Sequence, residues 1–163
     1  MEARIDGKGV CRVRFAFGEE ARDLNGHVNN IEYVRKMQDA AGAHVGAAGW
    51  PMERLLAEGK SWVVRWHRIE YLRSCAIGEP VVVCTWVRDF RRIRSLRRYR
   101  FLRESDGAVL AEAETEWVFL DVASRRPARI PDAFMEIFPP IPEEEEKNIG
   151  VVEQDGGGEG GNG

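Results

Sequence analysis

From Gly9 to Phe17 the chain reads GVCRVRFAF, with Val10, Arg12 and Arg14 on one parity and their neighbours on the other, which predicts a first strand. At Val28 the period changes. Val28, Ile31, Val34, Met37, Ala41 and Val45 follow one another in steps of three or four, which is a single helical stripe. Asn29 or Asn30 is placed to cap that helix, because an amide oxygen can accept from a free N–H of the first turn. Ala40, Ala41, Gly42 and Ala43 leave little side-chain volume in mid-helix. A glycine there costs about 1 kcal/mol of helix propensity, so close packing of a sheet against the helix is the reason expected for Gly42.

Pro51 to Glu58 fits a short second helix, with Gly59 as its stop. Four strand-like runs follow: 61–73, 80–90, 93–103 and 109–121. The last has the clearest period of two. Ala111, Ala113, Thr115, Trp117 and Phe119 share one face, and Glu112, Glu114 and Glu116 share the other, so one face is buried and one is wet. Turns are marked at 77–80 and 105–107, and a short helix is expected after Pro131. Beyond Pro139-Pro140 the periodicity ends. Residues 143–163 are acidic and Gly-rich, and are expected to form a mostly disordered tail behind a single domain of residues 1–142. The order of strand, long helix, short helix and four strands makes the fold α+β, an antiparallel sheet wrapped around one long central helix. The outer sheet face then needs cover, and a dimer or larger assembly is expected.

Composition changes this picture little. The chain has 163 residues and a formal net charge of −3, so it is no polycation and has the length of one domain with a real core. Three cysteines, Cys11, Cys75 and Cys84, form no C-x-x-C pair and suggest a reducing compartment; Cys84 within VVVCTW reads as a buried small hydrophobe. With no long apolar run and no signal-peptide core at the N-terminus, the expectation is a cytoplasmic protein without a membrane span. Charge is distributed unevenly, however. Eight of the sixteen residues from Arg88 to Arg103 are Arg, with Asp89 the one acid among them. By parity Arg91 and Arg97 separate from Arg92, Arg94, Arg98 and Arg100. Such a strand is either a solvated outer face or a platform for phosphate or an acidic carrier protein. No nucleic-acid motif accompanies it, and nucleic acid is not expected as a partner.

The densest chemistry lies in DLNGHVNN, residues 23–30. Asp23 before a helix is either a capping group or a general base or nucleophile. His27 alone reads as a structural hydrogen-bonding residue or a catalyst, and Asn25, Asn29 and Asn30 individually read as turn and cap residues. Together, beside Gly26, they offer more polar groups than a cap requires. Free N–H groups near Asn29 and Asn30 suit a developing oxyanion. No ligand spacing for a metal involves His27, His44 or His67.

Asp23, Asn25, His27, Val28, Asn29, Asn30 and Tyr33, in the spacing D-x-N-x-H-V-N-N-x-x-Y, resemble the signature of hot-dog-fold acyl thioesterases, closest to the acyl-[acyl-carrier-protein] enzymes and with features of the 4-hydroxybenzoyl-CoA type. EYLRSC (70–75) and WVFLDVASRRPARIP (117–131) are weaker echoes of the same family. The resemblance implies a single hot-dog domain that hydrolyses an acyl-CoA or acyl-[acyl-carrier-protein] without cofactor or metal. It implies Asp23 as the catalytic carboxylate, Asn25 and His27 positioning the thioester or water, and Gly26, Val28, Asn29, Asn30 and Tyr33 forming the substrate site. It also implies a homodimer or homotetramer, since the plant enzymes carry two such units in one chain and this chain has length for one. Two departures stand out: Ser74 occupies the place of a family Glu before Cys75, and Ala21 replaces an acid found in many relatives. Nothing in the sequence would activate Cys75 as a nucleophile. The alternatives are a non-catalytic acyl-thioester-binding subunit or sensor, and a hot-dog hydratase or dehydratase, whose D-x-N-x-x-H spacing would place the His one residue later. Pocket depth is expected to be set by Met37, Ala41, Trp62 and Trp66.

Overall fold

The structure, a computed structural model, describes residues 2–152. Six strands, β1 (Ala3–Ile5), β2 (Cys11–Ala16), β3 (Lys60–Tyr71), β4 (Pro80–Arg91), β5 (Arg94–Arg103) and β6 (Val109–Asp121), form one antiparallel sheet in the order β1-β2-β4-β5-β6-β3. Helix α1 (Asn30–Ala47) lies across its inner face, α2 (Met52–Ala57) leads into β3, and α3 (Asp132–Ile137) closes one end. This is the antiparallel sheet around one long helix expected from the order of elements, and the hot-dog arrangement that the resemblance implies. No helix among the described residues is long and apolar enough to cross a membrane.

Asn29 caps α1: its side chain accepts from Ile31 N at 3.1 Å. The helix buries Tyr33, Met37, Ala40, Ala41 and His44. That stripe is rotated from the expected one, because Ile31 is exposed and Val34 and Val45 are only partly covered. The aromatic ring of Tyr33 decides the phase. It packs against Phe17, Phe101 and Tyr71, an aromatic cluster worth more than the burial of one β-branched side chain. A Cβ at Gly42 would meet nothing within 4 Å, so no sheet atom presses on α1 at that position. Close packing against the sheet is therefore not what Gly42 serves.

A bulge between Val64 and Trp66 resets the parity of β3. Trp62 pairs with inward-facing Phe119, whereas Trp66 pairs with outward-facing Glu116. Trp66 thus leaves the helix side, contrary to its expected place in a pocket. Met37 is fully buried in the core rather than lining a cavity. Along β5 the alternation holds throughout: Ser95, Arg97, Tyr99 and Phe101 face α1, and Arg98 and Arg100 face outward.

The outer face carries its own cover. Residues 143–152 begin with a turn of helix, α4 (Glu143–Glu146), and bury Glu146 and Ile149 against Val10, Val82, Cys84, Trp86 and Leu102. The tail expected from 143 onward therefore divides: 143–152 pack on the sheet, and 153–163 lie outside the described residues. Glu146 accepts from Trp86 Nε1 at 3.1 Å and from Arg98 Nη1 at 2.7 Å, while Arg100 Nη1 donates to the Glu146 and Ile149 carbonyls. A run of Glu has no apolar period, so its docking is set by arginines far away in sequence. Arg94, Arg98 and Arg100 are also paired to Glu116, Glu114 and Glu112 across the sheet, which leaves the expected phosphate platform largely occupied by carboxylates.

Candidate active site

Between the 3₁₀ turn at Glu19–Ala21 and α1 the chain makes a tight loop, Asp23 to Asn29. Asp23 organises it. Its Oδ1 accepts from Asn25 N at 2.8 Å and His27 N at 3.0 Å, while Gly26 N donates to Asp23 O and Asp23 N donates to His27 O. Gly26 sits at φ +78°, a left-handed turn position that suits glycine, and Arg22 Nη1 holds its carbonyl at 3.2 Å. Asn29 N donates to Ala21 O at 2.7 Å, which ties the far end of the loop to the buried Ala21. The helix cap is thus Asn29, and Asp23 caps the preceding turn instead of α1.

The expected site residues divide into two groups. Asn25, Gly26, His27 and Asn30 are exposed, and Asp23 and Asn29 are half-buried beside them. Val28 and Tyr33 point into the core and support the loop from beneath. Burial, and after it the neighbouring Cys75, Tyr71 and Glu79, push the Tyr33 phenol upward. Tyr71 joins the two groups, stacking edge-on to Tyr33 and donating to Asn30 O at 3.0 Å. The EYLRSC segment is thereby brought to the start of α1, although it lies forty residues away in sequence. Cys75 beside it is buried and its thiol is pushed up to about 12, first by desolvation and then by Glu79, so it is no thiolate nucleophile. Cys11 and Cys84 are likewise raised to about 11 by burial.

What the loop offers chemically is a carboxylate with one committed oxygen and one open oxygen. Oδ1 holds the turn, and no protein group among the described residues bonds Oδ2. At the helix start, Asn29 takes the Ile31 and Glu32 N–H groups, and that of Asn30 has no acceptor among the described residues. Around this polar centre, Leu24 is fully exposed, and Ile31, Tyr71 and Leu72 also show apolar surface to solvent. No cluster of three or more His, Cys, Asp or Glu suited to a metal occurs among the described residues.

A second polar centre lies along α1 and was not singled out from sequence. Arg97 is 4% exposed, and its Nη1 donates to His44 Nδ1 at 2.8 Å and to Thr85 Oγ1 at 3.1 Å. Desolvation first, then the Arg97 charge, hold the His44 imidazole neutral, with its pKa pushed down to about 2. The available signal was parity, since Arg97 shares its strand face with Tyr99 and Phe101.

The fold is similar to solved structures of a 1,4-dihydroxy-2-naphthoyl-CoA thioesterase from Synechocystis (TM-score 0.74, 15% identity, covering 79% of this chain and 95% of that one) and a hypothetical protein from Thermus thermophilus (0.71, 27%, 78% and 95%). It is also similar to an acyl-ACP thioesterase from Bacteroides thetaiotaomicron (0.70, 22%, 75% of this chain and 50% of that one). No curated protein matches the sequence significantly. The family description of the thioesterase-like superfamily matches residues 19–138, from the turn before the loop to the end of α3. With the loop, the central helix and four of the six strands, β3 to β6, inside that match, the chain belongs to the thioesterase-like superfamily.

Proposed function

We propose that the protein hydrolyses acyl thioesters, carried by coenzyme A or an acyl carrier protein, to free acid and thiol, with Asp23 as the working carboxylate. Membership of the thioesterase-like superfamily supports thioester hydrolysis in general. The observation that carries the finer reading is the division of labour in Asp23: Oδ1 locks the loop through two backbone N–H groups, and Oδ2 is left to take a proton from water or to attack the carbonyl itself. The free Asn30 N–H at the helix start suits the developing oxyanion, and Asn25 and His27 flank the place where the thioester would lie. A thiol leaves as a thiolate more readily than an alcohol as an alkoxide, so no strong general acid is required.

The exposed apolar rim at Leu24, Ile31, Val63 and Leu72 supports a homodimer or larger assembly whose second copy covers the loop beside edge strand β3. The test is free-thiol release from a panel of acyl-CoAs and acyl carrier proteins, comparing the native protein with Asp23→Asn. The amide keeps an acceptor at Oδ1 and therefore the loop, so kcat should fall on the order of a hundredfold or more with circular dichroism unchanged. Unaltered turnover in that variant would remove Asp23 from the chemistry. Acyl-CoA binding without turnover in the native protein would make it a binding subunit.

A further inference from the structure

A cavity of about 230 Å³ lies between the second half of α1 and the sheet. Its walls are largely apolar, with Met52, Trp62, Trp117 and Phe134 around the open side of Ala41 and Gly42. On its sheet side stands Arg97. A guanidinium stays protonated in proteins, and taking one out of water without a counter-ion is costly. Arg97 nevertheless has no carboxylate partner among the described residues. Its two bonds, both from Nη1, go to the neutral acceptors His44 and Thr85, and Nε and Nη2 have no protein acceptor among those residues. Trp117 Nε1, on the same cavity wall, is a second buried donor without a well-formed bond; it stands near the Tyr99 hydroxyl, which is itself unpaired.

We propose that this cavity is the distal end of the acyl site and that Arg97 receives a carboxylate there, so that the preferred acyl group is an ω-carboxyacyl chain of medium length. The proposal rests on the thioester reading above, since the acyl chain is taken to run along α1 from the Asp23 loop. A planar fork with two free nitrogens matches a carboxylate, and a single cation with no Lys or second Arg in the wall matches one carboxylate better than a doubly charged phosphate. Apolar walls with one placed charge fix which end of a ligand goes in. The length follows from the helix: Gln38 and Val45 on the cavity wall lie eight and fifteen residues after Asn30, or roughly 12 and 22 Å along the axis at 1.5 Å per residue. A two-carbon acyl group would not reach.

The experiment is calorimetric titration of the native protein with decanoate and with decan-1-ol, one chain carrying a carboxylate and the other none, beside hydrolysis of the mono-CoA thioester of decanedioic acid and of decanoyl-CoA. Decanoate should bind about ten- to a hundredfold more tightly than the alcohol, the worth of a hydrogen bond to a charged group. Arg97→Met should erase the preference, and Gly42→Leu, which fills the open side of the cavity, should weaken both ligands together. Equal binding of the acid and the alcohol, or no binding of either, overturns the proposal, and so does a preference that survives in Arg97→Met or a kcat/KM for decanoyl-CoA that matches that of the ω-carboxy thioester. The hydrolysis reading fails separately: if decanoate is preferred but neither thioester is cleaved, the Arg97 subsite stands and the catalytic assignment falls. Should Arg97→Met not fold, the native preference together with the effect of Gly42→Leu decides the matter.

Discussion

Arg97 and Arg98 are neighbours in sequence and opposites in circumstance. Arg98 faces outward and is met by Glu146 at 2.7 Å and Glu114 at 3.2 Å, and these carboxylates raise its guanidinium against the lowering effect of burial. Arg97 faces α1, meets no carboxylate, and is lowered by desolvation with only Tyr99 and Cys11 acting the other way. One strand thus presents a charge compensated within the chain and a charge left uncompensated. The outer one fastens a segment of the same chain, and the inner one holds a donor fork ready in a cavity. Paired charge on the sheet surface fastens the chain to itself, whereas Arg97, held by neutral acceptors alone, is the charge that the proposed carboxylate would complete.

Breaking the outer side should have the largest effect. A chain ending at Pro142 loses Glu146, Ile149 and the carbonyls that Arg12 and Arg100 bond, so its unfolding free energy should drop by about 4 kcal/mol or more, read from urea midpoints. Glu146→Ala alone should cost about 3 kcal/mol, because Trp86 Nε1 then loses its acceptor beneath the strap and Arg98 keeps only Glu114 of the two carboxylates it bonds. If that variant were as stable as the native protein, the strap would not depend on the arginines.

Acid should act on the inner side. His44 is depressed from an ordinary 6.5 to about 2 in the fold, so the unfolded chain takes up a proton that the folded chain does not. Its contribution is complete above about pH 6.5 and is lost as pH falls toward 2, by at most about 1.4 kcal/mol per pH unit. His44→Gln keeps an acceptor for Arg97 and removes the titration, so its stability should change less over pH 6 to 4 than that of the native protein. The smallest effect is expected from Arg97→Met. Removing an uncompensated buried charge should shift stability by no more than about 1 kcal/mol, in either direction, while ligand discrimination disappears. A loss of about 3 kcal/mol or more would make Arg97 a structural clamp on His44 and would cancel the contrast with Arg98.

Much of this was legible in the chain. The strand from Val109 to Asp121 appears where its alternation put it, and the DLNGHVNN loop precedes a helix capped by Asn29 as expected. The phase of α1 was not legible, because counting apolar letters gives Ile31 the same weight as Tyr33, and only the surrounding Phe17, Phe101 and Tyr71 show which one is covered. Trp62 and Trp66 looked equivalent until a bulge put them on opposite faces. The docking of Glu146 was invisible as well, since nothing local to EEEE predicts burial.

Local periodicity and turn chemistry, which act over a few residues, therefore determined the elements, their order, the loop and the family to which it points. The tertiary structure decided which oxygen of Asp23 stays open, where the acidic strap docks, and that one arginine of eight is enclosed with no carboxylate partner among the described residues. Those outcomes depend on groups far apart in sequence meeting in space, where burial and pairing of charge are set by the assembled sheet and helix together.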